Sequence, residues 1–539
     1  MKNTIAENLV LIKTFLNIKL QGGKGKLEQV MDQIAHISAL NHFFITMLIL
    51  ITMVLVSRTV VAGTKYSSIL IIVVFGLAMG FLLVKSQMAT PGLAEFPMVV
   101  LASKTTVIAL IASFFVGGQE IKKIFCKEDL KVDDIMIPSK DETILGTNST
   151  QIFFLIRAFF ILIGIQTTHS LIVGVQGDSV FGKSYMLLAY LSIVLAIIFI
   201  DNKAKISSKQ VYIRKGFVEM LAILGILMLS LKIASTVKPF IALPQIFFAM
   251  LLSAGLGMIF SNWKFGPTLN ALLFAGIPVV LAGSFLVGGS RMSDAFKIAG
   301  VKNVMIYGFS GQVFWMFSGL AILIFLCKSN NIRNLAPGMA GALSHSGLTG
   351  ACTGGDLGEK AASRAPIMIN IPFFGHVFVF SILAASAERG SIIVAWTLPL
   401  ICVGLVIVAF AIGTLRKADG DDGKEVKGLM QFAFGWQVVA VFGSFTMLNV
   451  AGMPLDQVSI AVSSALSHFG LFAAVQGGMF GGTAAGLIAF IFAMPFLVHP
   501  LVFGMFGKAA ENEGKMSTKI VLGLTIAGSI GVIYSLLTI

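Results

Sequence analysis

The sequence predicts an all-α polytopic membrane protein with about 14 spans, two short re-entrant segments and an internal repeat of inverted sense. Three observations carry that expectation. Of 539 residues, 56% are hydrophobic and 12% charged, against about 25% charged in a soluble globular chain. Apolar runs of roughly 18 or more residues recur from end to end, the length a helix needs to cross hydrocarbon; a β-barrel would show short alternating segments instead. The third observation is a stretch written twice. Residues 342–380 begin ALSHSGL and residues 465–503 begin ALSHFGL, and a shift of 123 aligns them without a gap at 17 identities in 39 positions. Ser344/Ser467, His345/His468, Gly354-Gly355/Gly477-Gly478, Gly358/Gly481, Pro372/Pro495, Phe373/Phe496 and His376/His499 all coincide, and beyond the window Glu388 falls on Glu511. Four of the chain's seven histidines lie in this repeat. Rare residues held in register mark a duplicated unit.

Taken in order, residues 1–41 mix lysines and glutamates with apolar residues and lack a compact apolar core. They read as an amphipathic segment at the membrane surface rather than a cleaved signal peptide. A scaffold region follows over 42–302, with spans near 42–62, 67–86, 97–117, 151–173, 184–201, 217–236, 239–260 and 267–289. It carries two polar loops, 118–150 and 202–216, and supplies a surface for a homodimer. Repeat unit one covers 303–414, with spans near 303–327, 366–386 and 391–414; unit two covers 428–539, with spans near 428–450, 484–505 and 518–538. Within these units 337–353 and 457–476 are shorter and rich in Gly, Ala and Ser. A weaker echo joins Ser113-Phe-Phe-Val-Gly-Gly118 to Ser284-Phe-Leu-Val-Gly-Gly289 and suggests an older duplication in the scaffold.

The formal charge of +14 does not indicate a nucleic-acid partner. Lys and Arg collect in short loops between apolar runs, as cytoplasmic loops of membrane proteins do. Lys203, Lys205, Lys209, Arg214 and Lys215 make 202–216 the clearest inside marker. Counting back from it sets the N-terminus outside, while the lysines of the N-terminal segment favour the inside. Counting forward tests the repeat. If each short segment dips in and turns back, a unit has an odd number of crossings and the second copy is inverted. Lys328, Arg333, Lys360, Arg364, Arg416, Lys417, Lys424, Lys427, Lys508 and Lys515 then all lie inside, and 451–483, free of Lys and Arg, lies outside. A fully crossing short segment would put the basic loop 415–427 outside. The partners expected are therefore a lipid bilayer and a small solute or ion, and the location a bacterial inner membrane.

Non-helical backbone at membrane depth is tolerated where it lines a cavity or is buried in protein, and inverted-repeat transporters place their sites there. The expected substrate- or ion-binding residues are Ser344, His345, Thr353, Gly354, Gly355, Ser467, His468, Gln476, Gly477 and Gly478, with His376 and His499 as a relay. Histidine passes protons near neutral pH or ligates metal, and polar groups at membrane depth mark pathways. The glycine turns TGGDLG and QGGMFG offer backbone N–H groups to an anion or carbonyls to sodium. Charges from Glu359 to Arg364 read as a solvated loop, and Glu388 and Glu511 as solvated caps. Lys104 and Arg157, inside apolar spans, either balance an anion or snorkel to the surface.

The function expected is a secondary active transporter of a small solute, an anion among the candidates, coupled to a sodium or proton gradient. Two alternatives stand beside it. SSALSHFG (463–470) resembles a Ser-rich SHxG stretch in the antiporter-like subunits of respiratory complex I, which implies a proton-translocating subunit of a larger complex; the lysine- and histidine-bearing patterns that accompany it are missing elsewhere in the chain. A haem or metal site would use His345, His376, His468 and His499, although no HxH or HxxxH spacing is present. No cofactor is expected otherwise. Cys126, Cys327, Cys352 and Cys402 show no CxxC pair, which argues against a disulfide framework, and no hydrolase elbow, HExxH helix, P-loop or dinucleotide fingerprint points to an enzyme.

Overall fold

A computed structural model describes residues 47–61, 68–85, 105–126, 144–173, 189–194, 206–237, 245–298, 300–327, 331–353, 420–476, 482–511 and 515–539, with isolated positions at 357–358, 360–361, 364–365, 368 and 480. Among these residues the elements are helices. Strand-like pairing occurs only at two isolated antiparallel bridges, Asn331 with Lys515 and His345 with His468.

The helices are α1 (Met47–Val61), α2 (Ser68–Lys85), α3 (Thr106–Cys126), α4 (Ile144–Val173), α5 (Ile206–Val237) and α6 (Gln245–Ile259). Then come α7 (Pro267–Ser290), with a π-turn at Leu272–Gly276, α8 (Val301–Cys327), α9 (Ile332–Leu343) and α10 (Ser346–Thr353). The last group is α11 (Gly420–Val450), α12 (Leu455–Leu466), α13 (Phe469–Gln476), α14 (Gly482–Ala493), α15 (His499–Glu511) and α16 (Thr518–Leu537). Lys209–Val237, Pro267–Ser290, Val301–Phe325, Glu425–Val450 and Thr518–Leu537 are long and apolar enough to cross a membrane, and shorter apolar helices surround them. These lengths and this composition are those of a helical membrane protein. The spans expected at 366–386 and 391–414, and the segment 1–41, lie outside the described residues.

Two expected loops are partly helical. Helix α3 runs on to Cys126, inside 118–150, and α5 begins at Ile206, inside 202–216. An apolar run measures the hydrocarbon thickness, not the helix: Lys, Gln and Glu are good helix formers and carry the turns onward into the polar zone.

Close helix crossings organise the front half, and glycine makes them. A Cβ on Gly118 of α3 would stand 2.0 Å from the Ala254 carbonyl oxygen of α6, and one on Gly257 of α6 would stand 2.0 Å from the Phe115 carbonyl oxygen. The α7–α2 crossing repeats this arrangement: Gly289 faces the Leu77 carbonyl oxygen and Gly80 the Leu286 carbonyl oxygen, each at 2.2 Å from an added Cβ. Small residues let backbones approach and gain dispersion contacts where water-driven burial is absent.

In the back half, α8 packs along α16 and against α12, while α9 packs against α11. Helices α8 and α11 meet through reciprocal Trp–Gly contacts. Trp436 sits over Gly319 and Trp315 over Gly443, with the Trp436 indole N–H donating to the Trp315 carbonyl at 3.2 Å. Helix α16 turns Gly528 and Val532 inward and leaves Leu522, Ile526, Ile530, Ile533 and Leu537 exposed as an apolar stripe, the surface a helix carries where it faces lipid.

Candidate functional site

The site grows from two helix breaks. Helix α9 ends and α10 begins across Ser344-His345; α12 ends and α13 begins across Ser467-His468. Ser344 (φ 48°, ψ 39°) and Ser467 (φ 49°, ψ 39°) are left-handed, and among the described residues they are the only non-glycine positions with positive φ. Each serine closes a Schellman-type C-cap. Ser344 N–H donates to the Gly341 carbonyl and His345 N–H to that of Ala340; Ser467 N–H and His468 N–H donate likewise to Ser464 and Ser463.

The histidines then start the next helices. His345 Nδ1 accepts from Leu348 N–H at 2.9 Å, and His468 Nδ1 from Leu471 N–H at 3.0 Å. A side chain accepting from the third N–H of a helix is doing the work of an Asp or Ser N-cap. So two residues stop one helix and restart another, and the continuous Gly/Ala/Ser segments expected at 337–353 and 457–476 are broken helices hinged at Ser-His. The glycines expected to form the turns, Gly354, Gly355, Gly477 and Gly478, lie outside the described residues.

The two breaks meet. His345 and His468 form the antiparallel bridge, and Phe469 N–H donates to the Ser344 carbonyl at 3.4 Å. Around them stand a glutamine from each flanking long helix and one further histidine. The Gln437 amide of α11 lies 3.2 Å from both Ser344 Oγ and His468 Nε2. The Gln312 amide of α8 lies 2.8 Å from His345 Nε2 and 3.1 Å from His499 Nε2, and the two imidazole Nε2 atoms are 2.9 Å apart. Gln312, His345, Ser467, His468 and His499 are fully buried, and Ser344 and Gln437 nearly so. Buried beside them, the hydroxyls of Ser463, Ser464 and Ser467 and the Gln312 Oε1 atom have no hydrogen-bond partner among the described residues. No group of three or more His, Cys, Asp or Glu able to hold a metal occurs among the described residues.

Of the expected site residues, Ser344, His345, Ser467, His468 and His499 come together. Gln476 does not join them: it accepts from Thr106 at 3.3 Å and donates to Ser284 at 3.2 Å, tying the end of α13 to the front half. Thr353 ends α10, and His376 lies outside the described residues. Arg364 departs from the solvated-loop expectation. It is 5% exposed, donates to Asn334 and pairs with Glu425 at 3.1 Å, with Lys360 on the same carboxylate at 3.6 Å. Burial beside Asn334 and an acid at the start of α11 holds it inside the protein.

Gln312 and Gln437 were not foreseen from the repeat, though a signal exists. Phe309–Val313 (FSGQV) and Phe434–Val438 (FGWQV) share Phe, Gln and Val at a shift of 125, two residues off the main register. Glu219 was also missed; it is buried at 4% exposure and accepts from Trp263 Nε1, Gly266 N–H and Leu269 N–H, which anchors the start of α7 as a cap from a neighbouring helix. Comparison with protein-family models, with curated proteins and with solved structures gave no match.

Proposed function

We propose that the chain is a secondary active transporter of a small solute, with its site where the two broken helices meet. The observation that carries this reading is the antiparallel pairing of equivalent Ser-His breaks, beside buried polar atoms that have no hydrogen-bond partner among the described residues. An unsatisfied buried donor or acceptor costs about 1–3 kcal/mol. Four of them beside two helix breaks form a polar centre that packing alone does not call for, and discontinuous helices of this kind are where inverted-repeat transporters hold substrates and ions.

The repeat reading draws support from exchange between units. Helix α8 of unit one packs on α12 of unit two, and α11 of unit two packs on α9 of unit one. Chain direction reverses between His345 and His468. A two-fold axis lying in the membrane plane produces such a reversal, and it is the inverted arrangement we propose. The front half shows the same exchange. The SFxVGG helix α3 crosses α6, its echo α7 crosses α2, and the carbonyl–glycine contacts fall at matching positions of the echo, Phe115 with Leu286 and Gly118 with Gly289. Two pseudo-symmetric pairs would then form one body around the site.

Site access from both faces is the test, and it requires no known substrate. In a variant lacking the native cysteines, Ser463→Cys is probed with a membrane-impermeant maleimide in right-side-out and in inside-out vesicles. Labelling from both sides, in different fractions of the population, is expected of alternating access. Labelling from one side only, or from neither, would overturn the transporter reading.

A further inference from the structure

We propose that His345 and His499 form a one-proton site with Gln312 as its switch, which makes the coupling ion of the proposed transporter a proton rather than sodium. The inference rests on the transporter reading for its physiological meaning, and on hydrogen-bond accounting for its chemistry.

The accounting starts from the backbone. Leu348 N–H occupies the lone pair of His345 Nδ1, so a neutral His345 carries its hydrogen on Nε2. Leu471 N–H fixes His468 in the same form. His499 Nε2 faces His345 Nε2 at 2.9 Å, a distance that takes one hydrogen. His345 supplies it, so His499 Nε2 is the acceptor and a neutral His499 carries its hydrogen on Nδ1. This ring alone of the three offers a bare nitrogen to the centre.

The amide of Gln312 closes a triangle with those two nitrogens, at 2.8 and 3.1 Å. It cannot satisfy both edges while both rings are neutral. With its NH2 inward it donates to His499 Nε2 but opposes the His345 N–H; with its oxygen inward it accepts from His345 but opposes the His499 lone pair. One added proton resolves the conflict. The proton bonds to His499 Nε2, the His345 N–H···N bond is given up, and the amide oxygen accepts from both rings. Gln312 Oε1 has no hydrogen-bond partner among the described residues, so the half-turn of the amide breaks no other bond.

Sodium fits the same centre poorly. Hard cations take oxygen ligands, carboxylates above all, whereas the Nε2 atoms of His345 and His468 both present N–H. The fixed N–H tautomers also oppose a transition metal, since a metal-bound imidazole donates through its other nitrogen instead of accepting there. Among the described residues, His345 of the first break and Gln312 of α8 are the groups that meet His499 Nε2. The charged residues on the helices packed there, Lys302 of α8, Arg333 of α9, and Lys508 and Glu511 of α15, stand two or more turns along their helices from the site residues. An imidazolium in such surroundings is costly unless an anion accompanies it or water enters, so the proton binds together with an anionic solute or as the site opens.

The test uses the full chain in lipid bilayers with 15N-labelled histidine rings, read by solid-state NMR between pH 8 and pH 4. At pH 8 the resonances lost in His345→Asn and His468→Asn are expected to show protonated Nε2 and bare Nδ1, and the ring lost in His499→Asn the reverse. On acidification only the His499 ring gains its second proton. Gln312→Glu, which places a carboxylate in the same outline, moves that midpoint up by about one pH unit or more, whereas a purely structural glutamine would leave it in place. A His499 ring already protonated on Nε2 at pH 8, a ring that never titrates in this range, or a midpoint indifferent to Gln312→Glu would overturn the proposal. None of these readouts involves solute movement, so their failure leaves the two-sided labelling of Ser463→Cys to decide the transporter reading by itself.

Discussion

The two broken helices are built alike where they break and differently where they begin. At the breaks both have a left-handed serine, a histidine capping the next helix through Nδ1, and a glutamine from a neighbouring long helix. At its outer end the first is capped by Asn331 and tied through Asn334 to Arg364 and Glu425. The second starts at Pro454 without a side-chain cap, and Gln457, the counterpart of Asn334, abuts Gly300. The counterparts of Lys360 and Arg364 are Thr483 and Leu487, which carry no charge. The centre is thus built alike in both, while the outer end of the first is fastened by the buried Arg364–Glu425 pair. Sameness at the centre suits a site that both units share; difference at the ends suits two faces that open unequally.

Substitutions sharpen this comparison. The largest effect is expected from Ser344→Val and from Ser467→Val. A β-branched residue at positive φ is strained by about 2–3 kcal/mol, and equal losses of thermal stability in the two variants, with Gly tolerated at both, would show that the breaks are equivalent. Arg364→Met should act on one end only. Removing one partner of a buried ion pair is costly, but Glu425 is a quarter exposed, so about 1–2 kcal/mol is expected, together with faster labelling of Ser463→Cys from one membrane face and not the other; Leu487→Met should change neither. His345→Leu and His468→Leu should each cost about 1 kcal/mol through the lost cap, while the Asn variants, which keep a capping oxygen, should retain most of the stability. A large difference between the two histidine positions would break the equivalence. Outside the repeat, Glu219→Gln should be milder than Glu219→Ala, because an amide oxygen in the Oε1 place still accepts from the Trp263 Nε1–H and the Gly266 N–H and gives up only the Leu269 N–H, while alanine leaves all three orphaned; thermal melts of the two variants compare them.

Much of the helical plan could be read from the chain because hydrocarbon thickness sets a length that composition reveals. The pairing of equivalent histidines could be read because rare residues repeat in register. The break itself could not: Ser-His carries no glycine or proline, and its two caps become visible only when backbone conformation is known. Gln312 and Gln437 were hidden by a two-residue change of register between the long helix and the broken one. Arg364 was hidden because charge reads as solvation until its partners Asn334 and Glu425, distant in sequence, are brought beside it. The SFxVGG echo looked thin as letters, yet its glycines occupy matching crossings; packing with a carbonyl is a stronger constraint than six small residues suggest.

The central claim is that the two breaks meet as an antiparallel pair, and a disulfide tests it most directly. His345→Cys and His468→Cys are introduced together in a variant lacking the native cysteines, with a loop carrying a protease site inserted between residues 415 and 419, ahead of α11. Directly opposed residues of an antiparallel bridge bring their Cβ atoms within about 4.5–5.5 Å, near disulfide reach. The prediction is that, after mild oxidation in the membrane and cleavage of the loop, the two fragments stay joined until reduced. Fragments that separate without reductant, from protein that is otherwise folded, would contradict it.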